Sequence, residues 1–273
     1  MNSNPLVSVI MGVYNCADTV DSAIKSIINQ TYKNWELIIC DDGSQDDTIS
    51  IVQKYIALYP QKIFLIKNKN NLGLNKTLNK CLAHAKGEYI ARMDGDDLCF
   101  PNRFEKQVEF LNTHPEFALV SSPMIYFDEN GEWGRGTAIS EPKIQDFVFH
   151  APCFCHAPVM IRKVAYDTVG GYTEEKAFLR FEDCNLWYKL YAAGFKGANL
   201  PEPLYKMRDD RKACKRRTVA TRLKAVYVQW MGFRLVNMKW YFYPILIKDL
   251  LKGIILSIMP QSLYLYLHHK KKN

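Results

Sequence analysis

Two clusters of carboxylates stand out by type and spacing. Asp94, Asp96 and Asp97 end an apolar run in 89-YIARMDGDDLCFP-101, and Glu182 adjoins Asp183 in 181-FEDCNLW-187. Three carboxylates this close repel one another unless a cation or a set of donors offsets their charge. Mg2+ and Mn2+ suit such a site. They are hard ions that take one or two protein carboxylates and fill the remaining positions with water and phosphate oxygens. Gly95 lets the backbone turn close beside a ligand. Taken alone, Asp96 and Asp97 serve equally well as caps of the next helix, with Asp97 the better cap for one beginning near Pro101. Glu182 and Asp183 also have two readings. One is a base that takes the proton of a hydroxyl nucleophile; the other is a pair of helix N-terminal acids favoured by the macrodipole. Lys76, Arg92 and Arg103 are candidates to touch phosphate or acceptor. The simpler reading of each is a solvated surface charge or a partner for a nearby acid. Arg92 ranks first because its run delivers Asp94.

Such side chains need a frame. Residues 6–15, 35–40, 63–67 and 89–93 read as buried strands. Between them lie helical patterns, the first carrying Val20, Ala23, Ile24, Ile27 and Ile28 with Asp18 or Thr19 as cap. Ser44 and Asp47 form a capping box for the second, and the third spans 74–85. Strand–helix alternation at this spacing predicts βαβ units and a parallel sheet with helices on its faces. Ligands of such sheets bind beyond the carboxyl ends of the strands. The segments leaving those ends are GVYN, DDGS, NNLG and MDGDD, all rich in Gly, Asn and Asp. No G-x-G-x-x-G and no Gly-Lys-Ser/Thr loop follows the first strand, so phosphate charge must be met another way. The second half is less regular: a helix on Phe104, Val108 and Leu111, strands around 128-DENG-131, then a helix over 182–194 ended by Gly194.

The chain resembles the family 2 glycosyltransferases of the GT-A fold over about residues 5–208. VSVIMGVYN, QTYKNWELIICDDGSQDDT, GEYIARMDGDD, CHAPVMIRK with GGY, FEDCNLW and LYKMR carry the likeness in order. The resemblance implies an α/β Rossmann-type sandwich with a mostly parallel central sheet; the helical basic extension beyond it is read as membrane-associating from its own charge and rings. Residues 1–208 would be the catalytic domain, 1–100 its nucleotide-binding half and 101–208 its acceptor-binding half. It also implies transfer of a sugar, with inversion, from a nucleoside diphosphate (UDP foremost) to a hydroxyl of a saccharide that is expected to be lipid-linked, in surface polysaccharide synthesis. Carried over by position, Asp41 would contact the base, Asp42 support its loop, and Gly12, Val13 and Tyr14 line the uridine pocket. Asn71, Gly73 and Arg92 join that donor set. Asp94 would touch ribose and the Mn2+ or Mg2+ ion, and Asp96 would be the main metal ligand. Asp183, beside Glu182, would be the base. His156 is read as an acceptor-side or structural residue rather than a metal ligand, and Trp187 is placed with it toward the acceptor. Gly12 stands where the family usually has proline, which predicts a less rigid first loop. Gly95 is commonly alanine, Cys184 often tyrosine, and 205-YKMRDDR-211 lacks the histidine often found there.

Charge is divided along the chain. Residues 203–273 hold 16 Lys or Arg against 3 Asp or Glu, whereas residues 1–202 hold 20 against 25. With Trp230, Phe233, Trp240, Tyr241, Phe242 and Tyr243, the basic tail 209–273 suits helices lying on an anionic bilayer, or alternatively packing on the catalytic domain. Its apolar runs are too short to span a membrane. No nucleic-acid module accompanies it, so nucleic acid is not an expected partner. The eight cysteines include no C-x-x-C pair and the first residues carry no signal-peptide pattern. The expected location is the reducing cytoplasm, peripheral to the inner face of the plasma membrane. Two other readings stand beside glycosyl transfer. A sugar-phosphate nucleotidyltransferase also pairs such a sheet with Asp-bound Mg2+, but the chain lacks its Gly-rich triphosphate loop. A non-catalytic, membrane-bound scaffold would have no need of Asp94, Asp96 and Asp183 together.

Overall fold

The computed structural model describes residues 4–149, 153–209 and 219–258. The basic run from Arg211 to Arg217 and the residues after 258 lie outside them. The first half alternates as its hydrophobic periods require: β1 (Val7–Val13), α1 (Val20–Ile28), β2 (Trp35–Asp41), α2 (Thr48–Leu58), β3 (Ile63–Lys67), α3 (Leu74–His84) and β4 (Tyr89–Asp94). The second half holds β5 (Leu98–Cys99), α4 (Arg103–Thr113), β6 (Leu119–Ser121), β7 (Met124–Asp128), β8 (Gly131–Arg135), α5 (Asp146–Phe149), β9 (Met160–Arg162) and α6 (Lys163–Val169). It continues with α7 (Glu182–Ala192), β10 (Gly197–Asn199) and β11 (Tyr205–Arg208), and α8 (Val219–Leu235) and α9 (Pro244–Ile258) follow.

The main sheet has seven strands in the order β10-β6-β9-β4-β1-β2-β3. Within it β9 is antiparallel to both of its neighbours and the other pairs are parallel. Period-2 alternation gives each face its own core. Val7, Val9, Met11 and Val13 of β1 pack with α1, α2 and α4, whereas Ile10 packs with α3, α6 and α7. A second sheet, β5-β11-β7-β8, lies at the edge of the site.

Chain order runs outward from β1 through β2 to β3, then returns across α3 to β4 on the other side of β1. That reversal makes the carboxyl ends of β1 and β4 a topological switch point, the ligand position of such sheets. Register places Gly12 beside Asp94 there.

Three local expectations change. Gly12 is not in a loop but inside β1, paired with Cys40 and Asp94. A Cβ on it would come within 3.1 Å of Leu74 and 3.2 Å of Thr77, so its small size lets α3 approach the sheet. The Ser44–Asp47 capping box does not form. Asp46 instead takes both the backbone N–H (3.0 Å) and the hydroxyl (2.5 Å) of Thr48. Thr19 is the residue before α1, but its hydroxyl donates to the Gly95 carbonyl (2.9 Å) and makes no cap.

The extension packs on the body. α8 lies along α7, where a Cβ on Gly232 would fall 2.2 Å from the Tyr188 ring. Phe233, read from sequence as interfacial, is fully buried, and Val228, Met238 and Leu246 are buried with it. Among the described residues, no helix is long and apolar enough to cross a membrane.

Candidate active site

The first two strand ends are clasped together. Asn15, at φ 49°, donates its N–H to Ser44 Oγ (2.9 Å), and its Oδ1 accepts the Gln45 N–H (2.8 Å). Cys16 N–H donates to Thr48 Oγ1 (2.9 Å), and Ala17 N–H to Asp46 Oδ2 (3.0 Å). Asp41 is buried and accepts the N–H groups of Gly43 and Ser44, both at 3.1 Å, curling its loop around its own carboxylate. Asp42 reaches the third strand end. It accepts from Leu72 N–H (2.8 Å), Gly73 N–H (2.9 Å) and Asn68 Nδ2 (2.8 Å). Gly73 and Gly43 both have φ near +90°, and a Cβ on Gly43 would crowd the Asn70–Asn71 backbone at 3.1–3.3 Å. Tyr14 is exposed beside this floor, and Val13 is buried under Gly95.

The fourth strand end carries the acids. One ligand oxygen from each of Asp94, Asp96 and Asp97 falls within 4.8 Å of the others. The three are not equivalent. Asp94 Oδ1 takes a charged hydrogen bond from Arg92 Nη2 (2.6 Å), and its N–H donates to Tyr205 Oη (3.1 Å). Asp97 is buried, and its Oδ1 accepts the Arg208 N–H (2.7 Å). It therefore ties β11 to the loop and does not cap α4, whose N-cap position is taken by Asn102. Asp96 is exposed. Burial and then the charges of Asp94 and Asp96 push the Asp97 carboxyl well up. Desolvation of its carboxyl within the crowded loop, and then the Asp94 charge, raise Asp96 as well, although the residue keeps an open face to solvent. An all-oxygen set held close against its own repulsion is the chemistry a hard divalent cation relieves, so these residues fit one.

The second acidic pair opens α7. Asp183 Oδ1 accepts the Cys184 N–H (2.8 Å), and burial raises its carboxyl, opposed by that bond and by Arg92. Glu182 is 8% exposed, its Oε2 has no partner, and burial followed by the Asp183 charge raises it to about 7. Arg92 is buried, with Nε unpartnered, and its charge opposes the upward shifts of Asp96, Glu182 and Asp183. The charge of one buried cation thus acts on both acidic clusters. Thr173 supports α7 by donating to Asn185 (2.6 Å). Asn75 and Asn79 of α3 donate to the carbonyls of Thr173 (2.6 Å) and Tyr172 (2.8 Å).

Two expected contacts are corrected. Trp187 is 1% exposed, wedged edge-on against Phe154 and His156, and is a core residue with no face for an acceptor. Arg103 is fully buried and donates to the carbonyls of Arg92 (2.8 Å), Val159 (3.2 Å) and Ala157 (3.4 Å), joining the end of β4 to the segment before β9. His156 is half-buried, 2.8 Å from Tyr172 Oη, and burial pulls its pKa well below the ordinary value, leaving a neutral imidazole. Asn15, Asp46 and Tyr205 support the site with no role assigned to them individually from sequence, and Thr19, read there as a cap, supports it too. Asn15 lies in the strand-end segment GVYN and Tyr205 in the motif LYKMR, which were their signals.

A family model described as Glycosyl transferase family 2 matches residues 8–170. EpsE of Bacillus subtilis (strain 168) is 43% identical over 272 residues, covering 100% of this chain and 96% of the relative. WfaP of Escherichia coli, named a UDP-Glc:alpha-D-GlcNAc-diphosphoundecaprenol beta-1,3-glucosyltransferase, is 33% identical over 194 residues, 71% of this chain and 73% of its own. Among solved structures, the mannosyltransferase PcManGT from Pyrobaculum calidifontis, in complex with GDP-Man and Mn2+, superposes with a TM-score of 0.66. The two are 18% identical, and the match covers 98% of this chain and 80% of that one, a likeness of fold. With its strand-end acids, its reversed sheet and these relatives, the chain belongs to glycosyl transferase family 2.

Proposed function

We propose that this glycosyltransferase moves a sugar with inversion from a nucleoside diphosphate donor to a hydroxyl of a lipid-linked saccharide, in the building of a surface polysaccharide. The observation that carries the reading is the pair of acidic clusters that share the field of buried Arg92 at the carboxyl end of the sheet. The preference for UDP and for a lipid-linked acceptor rests on the name of WfaP.

The base and ribose would lie over the clasped loops, with Asp41 and Asp94 accepting hydrogen bonds from base N–H and ribose hydroxyl groups. Gly12, Val13, Tyr14, Asn71 and Gly73 form the floor and wall beside them. Asp96 and Asp94 would hold a divalent ion, which supplies charge stabilisation for the leaving diphosphate. Asp183 takes the proton of the acceptor hydroxyl as its oxygen attacks the anomeric carbon from the face opposite the leaving group. The sugar then passes through an oxocarbenium-like state, and one displacement inverts its configuration. Arg92 opposes protonation of the base by its charge. Raised Glu182 lies beside the base as a second carboxyl that is half-protonated near neutrality.

Two substitutions test this. Asp183→Asn and Asp96→Asn should each reduce transfer from a nucleotide sugar by about 10³-fold or more, with circular dichroism unchanged. Near-normal turnover in both would overturn the reading. Release of pyrophosphate from a nucleoside triphosphate and a sugar phosphate would replace it with nucleotidyl transfer.

A further inference from the structure

The helical extension has one face too many. Val228, Phe233, Met238 and Leu246 turn inward and join the core beneath α7. Outside, Trp240 is 81% exposed, and Tyr241, Ile247, Leu251 and Ile254 are exposed with it. The last three recur at the spacing of one helix side, so α9 has an outward apolar stripe as well as an inward one. Cations accompany it. Lys239, Lys248 and Lys252 are exposed. The Lys239 ammonium lies 5.8 Å from the Tyr241 ring, and the Arg234 guanidinium 5.1 Å from the Trp230 ring. Residues 219–258 hold six Lys or Arg and one Asp. A second copy of the chain would bring like charges against these. Rings, aliphatic side chains and cations mixed on one surface match a bilayer interface, where rings sit at headgroup depth and cations meet anionic lipid.

We propose that the outward face of the Trp240–Phe242 turn and α9 rests on an anionic phospholipid bilayer, with Trp240 and Tyr241 as its inserted residues. α8, against which α9 packs, reaches the segment before Glu182 and Asp183. From α8, Lys224 Nζ donates to the Lys176 carbonyl (3.3 Å), and the Tyr227 ring lies 6.4 Å from that of Phe178, just before Glu182 and Asp183. A membrane-borne acceptor then arrives beside the base. That orientation rests on the glycosyl-transfer reading; the bilayer contact does not.

The test is flotation of the full chain with phosphatidylcholine vesicles, with and without phosphatidylglycerol, alongside tryptophan emission. Binding is expected on the anionic vesicles with a blue shift, and about tenfold weaker on the neutral ones. The pairs Trp240→Ser with Tyr241→Ser, and Lys248→Gln with Lys252→Gln, should each weaken anionic binding about tenfold. The sites are exposed, so circular dichroism should be unchanged. Absence of binding by the unaltered chain would overturn the proposal, as would binding untouched in both variants. Self-association abolished by the same substitutions would also overturn it, giving the face to a second copy. A nucleotide-sugar thermal shift on the same samples separates the readings. Retained shift without vesicle binding fails this proposal alone, and vesicle binding without the shift fails the donor reading alone.

Discussion

Glu182 and Asp183 are neighbours in sequence with different surroundings. Asp183 has a backbone N–H on its carboxylate, whereas Glu182 keeps an oxygen without a partner. Burial raises both, and the Glu182 value of about 7 stands against an ordinary 4.5. Folded Glu182 therefore holds its proton at pH values where the unfolded chain has lost it. Its stabilising contribution is complete below about pH 4.5 and is lost as pH rises through about 7. Glu182→Gln should flatten the fall in melting temperature across that window. Asp96, Asp97 and Asp183 shift in the same direction, so the reading is the difference between variant and parent at each pH. A difference constant with pH would show that Glu182 does not titrate there. With Asp183 as the proposed base, kcat/KM should fall as acid protonates it.

At the scale of elements, the site is a set of strand ends held to one another rather than a set of independent loops. Asp42 is the clearest joint. It is 4% exposed and accepts two backbone N–H groups and one side-chain amide from the segment after β3. Asp42→Asn turns an acceptor-only group into one that presents donors to donors. It should cost about 2 kcal/mol of stability in denaturant titration and weaken donor binding through loss of loop order. Unchanged stability would show that the three donors find other partners. The Asp94–Asp97 loop is braced in the same manner by Thr19, just before α1, and by Tyr205 and Arg208 from β11. The tyrosine–arginine segment thus belongs to the site as its buttress.

At the scale of the molecule, the described helices of the basic extension take the second of the two arrangements read from sequence, packing on the body, and still keep an open face. They pack on the catalytic body through an inner face, and they present an outer face of rings, aliphatic side chains and lysines. The hinge of this packing is Gly232, where a side chain would overlap the Tyr188 ring. Gly232→Ala should destabilise the docking of α8 by roughly 1–3 kcal/mol, as overpacking does. Protease accessibility of the extension should rise while a nucleotide-sugar thermal shift is retained. Loss of both together would show that body and extension fold as one unit.

Sequence alone determined the alternating frame, the strand ends and the acids on them. Hydrophobic period and Gly, Asn or Asp punctuation are local signals, and each strand end is a continuous piece of chain. It also determined the family, because its motifs are contiguous. The division of labour within MDGDD was decided by tertiary structure. Whether an aspartate binds outward or is spent on a backbone N–H depends on what folds against it, and Arg208 lies 111 residues from Asp97. The same holds for Arg103, Trp187 and Phe233, whose types suggested surface roles. Each is buried because a distant segment supplies carbonyls or rings to meet it, and no local pattern encodes that partner.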